Sequence, residues 1–236
     1  MKKTFLLVLT ALFFVMAGCE EDVPTGDGVF SVSPTQKVRI APGNLVYDTV
    51  ARTYSFAAHQ FDYGDYFRWS SGGNPTTMSF SWLDYESFDD WGSYMEGGWR
   101  TLTADEWRYL IGARPNYEEL CASATVCGVK GLVLLPDNFT GYVRTIRWAY
   151  TDNEYDADEW AKMEAAGVVF LPAAGYQASD SHVAEYTENS GRYWSCTPDD
   201  VPPMFINAFE FSGMFDEVSM YNSATYGLTV RLAKNI

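Results

Sequence analysis

Two helix-start signatures frame the rest of this chain. Thr103-Ala-Asp-Glu106 and Asp156-Ala-Asp-Glu159 each set a short oxygen-bearing side chain ahead of a glutamate, and a tryptophan follows both. In this arrangement the first side chain accepts from the amide of the glutamate, whose carboxylate reaches back to the first residue's own amide. Asp105, Glu106, Asp158 and Glu159 also suit the positive end of a helix dipole. Trp107, Leu110 and Ile111 share one face of the first helix, which Gly112 weakens and Pro115 stops. Trp160 and Met163 form the face of the second, with Gly167 as its terminating residue. Each spans only about ten residues, too few to persist alone, so both must pack on something larger.

Short strands supply that partner. Phe30–Ser33, Lys37–Ile40, Asn44–Tyr47 and Thr53–Phe56 are brief runs broken by Pro34 and Pro42-Gly43. Gly131–Leu135 and Val168–Leu171 are apolar and end at Pro136 and Pro172; Arg192–Ser195, Ala208–Phe211 and Gly227–Leu232 complete the set. Leu228, Val230 and Leu232 share one face, as do Phe209 and Phe211, with Glu210 opposed to the latter pair. Two short helices among many short antiparallel strands, without βαβ spacing, predict an α+β fold in one domain. Residues 57–98 have no clean period but carry many aromatics among glycines, which predicts an irregular stretch pinned by its own side chains.

The N-terminus reads as an export signal. Lys2 and Lys3 precede an apolar run ending in Met16-Ala17-Gly18-Cys19, too short to span a bilayer. A cysteine after that small pair looks like the lipobox of a bacterial lipoprotein, with residues 1–18 removed and Cys19 lipidated. The competing reading is an ordinary secretory signal with a chance cysteine. Glu20-Glu21-Asp22 resembles the signal that carries such proteins to the outer face of the outer membrane. Residues 19–28 read as a flexible tether and 29–236 as the domain.

Charge and cysteines narrow the partners. The chain carries 31 acidic and 16 basic residues, net −15. Such a surface repels phosphate backbones, so nucleic acid is not an expected partner. Eight Trp, sixteen Tyr and fifteen Phe exceed what a core of this size needs, which favours exposed aromatics. In an exported protein Cys121 and Cys127 are the expected disulfide, the alternative being that both stay reduced on adjacent strands. Cys196, beside Tyr193-Trp194-Ser195, is expected to be an inert buried thiol. No metal spacing occurs, and no metal or cofactor is expected.

Six blocks in order carry a resemblance: Val38–Leu45, Trp99–Trp107, Gly128–Pro136, Trp160–Gly175, Tyr193–Ser195 and Gly227–Leu232. Together they resemble the Bacteroidetes surface lipoproteins of the Fibrobacter succinogenes major paralogous domain type, covering nearly all of residues 30–232. The resemblance implies a C-type-lectin-like fold related to the formylglycine-generating, sulfatase-modifying family. It implies that Gly227–Leu232 closes the fold beside the N-terminal strands, and that the stretch between Tyr193 and Tyr226 displays ligand-facing loops and short strands. In relatives diversified by retroelements that stretch holds the variable positions. Cys196 replaces the usual serine, and the glutamate-proline-asparagine motif of calcium-dependent sugar binding is absent.

The expected function is a non-catalytic cell-surface binder, adhesin or lectin-like, held in the outer membrane through Cys19 and facing outward. Its ligand would be a glycan or a protein on a host or neighbouring cell. The expected face comprises Asp199, Phe205, Asn207, Met214, Phe215, Asp216, Tyr221 and Asn222: large apolar groups beside short polar ones in loop-like sequence. The alternative for its apolar members is that they fill the core. Tyr63, Trp69, Trp82 and Trp91 form a rival site in the long irregular stretch. A structural or tip subunit of a surface fibre or uptake assembly is the alternative function. A formylglycine-generating oxidase lacks its cysteine arrangement. The acid pairs that a glycosidase would need read as a solvated surface.

Overall fold

The computed structural model describes residues 23–75, 87–143, 150–179, 181–198, 205–212 and 216–236. The leader and Cys19 lie outside the described residues, as do Trp82, Asp199, Met214 and Phe215. The strands are β1 (Phe30–Ser31), β2 (Lys37–Ile40), β3 (Leu45–Asp48), β4 (Thr53–Phe56), β5 (Cys121–Val126), β6 (Val129–Leu134) and β7 (Glu154–Tyr155). They continue as β8 (Val169–Pro172), β9 (Tyr176–Gln177), β10 (Ala184–Glu185), β11 (Ser190–Pro198), β12 (Phe205–Ser212), β13 (Asp216–Ser223) and β14 (Ala233–Asn235). The helices are α1 (Ala104–Gly112) and α2 (Ala157–Ala165). The fold is α+β, with many short antiparallel strands in small sheets.

Both capping boxes form. Thr103 accepts from Glu106 N–H at 3.1 Å while Glu106 accepts from Thr103 N–H at 2.8 Å. Asp156 and Glu159 repeat the exchange at 2.9 and 3.0 Å. Gly167, at φ +76°, ends α2 as its sequence requires.

A four-stranded sheet, in the order β7-β5-β6-β8, stands at the centre. Its strands alternate between two buried faces. Leu132, Leu134, Val169 and Leu171 join the cluster around Trp107 and Phe30, whereas Val133, Phe170, Ala122 and Val126 join the cluster around Trp160 and Met163. Burial on both sides explains why these runs read as continuously apolar. A second sheet, β11-β12-β13, also divides two cores: Tyr193, Phe209 and Phe211 face Trp107, while Trp194, Ile206 and Ala208 face Trp69, Trp91 and Leu228. Trp107 stacks on Phe209 with ring centroids 4.8 Å apart.

Chain ends meet in the third sheet, β1-β2-β14. Gly227–Leu232 was expected to be a strand but makes no ladder. It threads the interior by single bridges, Gly227 to Gln177, Leu228 to Phe67 and Thr229 to Tyr193. Leu228, Val230 and Leu232 still share the second core. Arg231 points the opposite way and is fully buried, donating to Asn44 Oδ1, Gln60 Oε1 and the Phe170 carbonyl at 2.6–3.1 Å. Burial pushes its guanidinium down to about 10, with Tyr193 and Glu164 pulling the other way.

Three expectations are corrected here. Cys121 and Cys127 form no disulfide. Cys121 opens β5 and Cys127 sits beyond its end, so an extended strand separates them by roughly 20 Å, far beyond bridging reach. Cys127 and Gly128, at φ +48° and +83°, make the two-residue turn of the β5–β6 hairpin. Asp216–Ser223, read as loop, is strand β13. Residues 23–28, read as flexible tether, pack along the domain: Thr25 and Thr140 exchange two backbone hydrogen bonds of 2.8 Å.

Candidate ligand-binding surface

The β11-β12-β13 sheet carries the stretch expected to bind ligand. Two register shifts meet at Asn207. One lies between Trp194 and Pro198 on β11, the other between Ile206 and Ala208 on β12. Such bulges leave backbone groups unpaired, and Asn207 satisfies them. Its Nδ2 donates to the Pro198 carbonyl at 3.0 Å, its carbonyl accepts from Ser195 Oγ at 2.6 Å, and its Oδ1 accepts from Arg108 at 3.2 Å. Asn207 is 5 % exposed and Asn222 1 %, so both expected polar contacts are internal braces. Phe205, at the head of β12, is 37 % exposed. Asp216 and Tyr221 lie within β13, Asp216 opposite Phe211.

On the second-core side of this sheet, the apolar pair Trp194 and Ala208 gives way two residues on to a charged pair. Arg192 and Glu210 face each other across the strands at 2.9 Å, with Glu217 next on β13. Burial raises the Glu210 carboxyl above its usual range, and Arg192 pulls against that shift. Arg192 also donates to Asn222 Oδ1 at 3.4 Å and lies over the Tyr176 ring, 4.1 Å from its centroid. Tyr176 stacks on Tyr186 at 5.8 Å and 9°, and Tyr226 packs against Tyr176 at 5.3 Å. Here the second core reaches the surface: Tyr176 and Tyr226 border it half-buried, while Tyr186 is 60 % exposed.

The backbone fixes this arrangement. Tyr186 has φ +57° and Glu188 φ +62°, left-handed values that bulky residues rarely adopt. The turn is held by Asn189 and Ser190 N–H groups donating to the Tyr186 carbonyl at 3.1 Å and by Glu188 N–H donating to Ala173 O at 2.7 Å. A side chain at Gly175 would meet Glu185 O at 1.8 Å, so only glycine lets this turn close over β9. The result is an exposed ring backed by a second ring and a guanidinium. Stacked aromatics and a pinned cation offer large contact area with little entropy left to lose.

Of the rival site's tryptophans, the two within the described residues are not presented. Trp69 is 1 % and Trp91 0 % exposed, inside the second core. The acid pair Asp89-Asp90 is likewise internal to loop structure: Asp90 accepts from Thr101 N–H and Oγ1, and Asp89 from Gly73 N–H and the Tyr94 hydroxyl. Cys196 is half-buried, and burial pushes its thiol up to about 11. Among the described residues no group of three or more His, Cys, Asp or Glu is placed to hold a metal ion, and no helix is long and apolar enough to cross a membrane.

The tyrosine cluster was missed in sequence because its members lie far apart and sixteen tyrosines give no reason to choose three. The one local signal was Tyr186 between Glu185 and Thr187 in a turn-like segment.

An α+β domain with an aromatic cluster at the edge of a bulged sheet is what the fold and site define. Residues 94–233 match the family described as a domain of unknown function, DUF8237, and the chain belongs to it. The match runs from just before α1 to β14 and contains the whole cluster. No curated protein and no solved structure matches the chain.

Proposed function

We propose that this chain is a non-catalytic ligand-binding lipoprotein whose C-type-lectin-like domain takes a glycan or a protein segment on the Tyr176–Tyr186–Tyr226 cluster. The observation that carries this reading is the Tyr186 ring, exposed yet held by a left-handed backbone and stacked on Tyr176. Strain held at a largely exposed aromatic supports a recognition role for it. The lectin-like reading draws support from the meeting of chain ends in β1-β2-β14 and from the six sequence blocks. Lipid anchoring through Cys19 in the outer membrane, facing outward, rests on the leader pattern.

The test is a glycan and host-protein array probed with the mature chain carrying Cys19→Ala. For any ligand found, Tyr186→Ala should weaken binding at least about tenfold, or about 1.4 kcal/mol, with melting unchanged. Phe205→Ala, tested in parallel, asks whether the exposed head of β12 contributes. A ligand indifferent to Tyr186 removes the site assignment, and turnover of the ligand removes the non-catalytic reading.

A further inference from the structure

The segment leading into the domain is docked on it. Thr25 and Thr140 exchange both backbone hydrogen bonds and their hydroxyls meet at 2.5 Å. Asp27 N–H donates to Asn138 Oδ1 at 3.2 Å, and Arg39 donates to the Asp27 carbonyl. The chain therefore joins the body of the domain by Thr25, not at β1.

Beside this seam runs a groove of about 570 Å³ lined by Val23, Pro24 and Tyr142, with Glu154, Glu159 and Lys162 among the polar groups. Val23 is 65 % and Tyr142 86 % exposed, the latter the most exposed aromatic among the described residues. Three residues separate Cys19 from Val23, so the four steps between them span no more than about 14 Å at full extension.

We infer that the face built by Val23, Pro24, Tyr142 and the adjoining side of α2 rests on the lipid headgroups of the membrane that holds Cys19. The inference depends on the lipoprotein reading of Cys19. A lipid at Cys19 fixes that residue at the glycerol level, and the short reach brings Val23 to the headgroups. Because the seam ties the chain to the domain from Thr25 onward, the groove beside it is brought there too. The lining matches such a surface. Tyr142 is an amphipathic ring of the kind that settles at headgroup depth. Glu154 and Glu159 suit the ammonium of a headgroup, and Lys162 its phosphate. The seam thus orients the domain on its membrane, fixing which face looks outward.

Full-length lipidated protein labelled with a fluorophore at Tyr142→Cys tests this in phosphatidylethanolamine–phosphatidylcholine vesicles containing headgroup-level quencher lipids. A Cys127→Ser background removes the exposed native thiol. The same dye at Val50→Cys or Val183→Cys, both exposed on other hairpins, supplies the reference. Quenching at 142 should be several-fold stronger than at either reference. Thr25→Pro deletes the N–H donated to Thr140 and should erase that difference while the protein still floats with the vesicles. Equal quenching at all three positions in floating protein overturns the docked orientation and leaves the lipid anchor standing. A difference that survives Thr25→Pro overturns the seam as its cause. Protein that fails to float overturns the lipoprotein reading and this inference together.

Discussion

α1 and α2 begin with the same four residues, Ala-Asp-Glu-Trp, under the same capping geometry, yet they do different work. The α1 tryptophan, Trp107, lies flat on Phe209 and near Tyr193, within the core under the β11-β12-β13 sheet. Leu110 and Ile111 extend that contact. Trp160 of α2 meets Phe170 edge-on at 5.7 Å and Tyr155 at 6.1 Å, in the cluster that also holds Met163. Glu106 of α1 also takes a two-pronged ion pair from Arg100 at 2.6 and 2.7 Å, whereas Glu159 is exposed on the groove wall. Beyond α1, the buried Arg114 donates to the Leu135 and Leu120 carbonyls and reaches Asp137. A shared local code decides that a helix starts; the partners met afterwards decide what it supports. α1 underpins the sheet that carries the tyrosine cluster, and α2 flanks the N-terminal seam.

The largest expected contrast is between the two tryptophans. Trp107→Ala should cost about 4–5 kcal/mol and Trp160→Ala nearer to about 3, by lost transfer energy plus cavity. Urea denaturation of both variants measures this, and the reverse order would break the comparison. Neither indole N–H has a hydrogen-bond partner among the described residues, so Trp→Phe at either position should cost markedly less than Trp→Ala.

The next contrast is acid sensitivity at the far end of α1. Asp137 accepts from Ser31 N–H at 3.0 Å and Ser31 Oγ at 2.6 Å, and pairs with Lys37 at 3.2 Å and Arg114 at 3.3 Å. Burial pushes its carboxyl up, but these donors prevail and hold it below the usual range. A depressed folded value means its stabilisation is complete above the ordinary carboxylate range and is lost as pH falls through that folded value. Asp137→Asn should therefore cost about 2 kcal/mol at neutral pH and little once wild-type Asp137 is protonated. Urea midpoints of both proteins at pH 7 and at successively lower pH should converge, and a constant gap would refute the assignment.

The smallest contrast lies in the capping glutamates. Glu106→Gln keeps a cap but loses the Arg100 ion pair, costing about 1 kcal/mol, whereas Glu159→Gln should cost less than about 0.5. Equal costs in thermal melts would mean the Arg100 pair adds nothing.

What the sequence made legible was local. Both capping boxes, the glycine that ends α2 and strands β2 and β4 follow from residues a few positions apart. The misses were set by distant partners. Cys121–Val126 carries small residues buried on nearly every side, so no alternation marks it as a strand. Asp216–Ser223 alternates poorly because a bulge near Asn207 breaks its period. Gly227–Leu232 has the pattern of a strand but spends its hydrogen bonds singly on several neighbours. Of the expected binding face, the described side chains divide: Phe205 is partly exposed, whereas Asn207 and Asn222 turn inward. Asn222 still serves the tyrosine cluster, through Arg192. The docking of residues 23–28 depends on backbone bonds to Thr140, which composition does not encode.

The pairing of β2 with β14 places Arg39 opposite Lys234, almost a full chain length apart. Closing so long a loop is entropically costly and slows folding, because β2 pairs only with the two residues of β1 until β14 is in place. A chain that emerges with its N-terminus first therefore leaves this sheet open until β14 follows. Before then the apolar side of β2, with Val38 and Ile40, lacks the cover that Ala233 completes. The fold thus has a built-in delay.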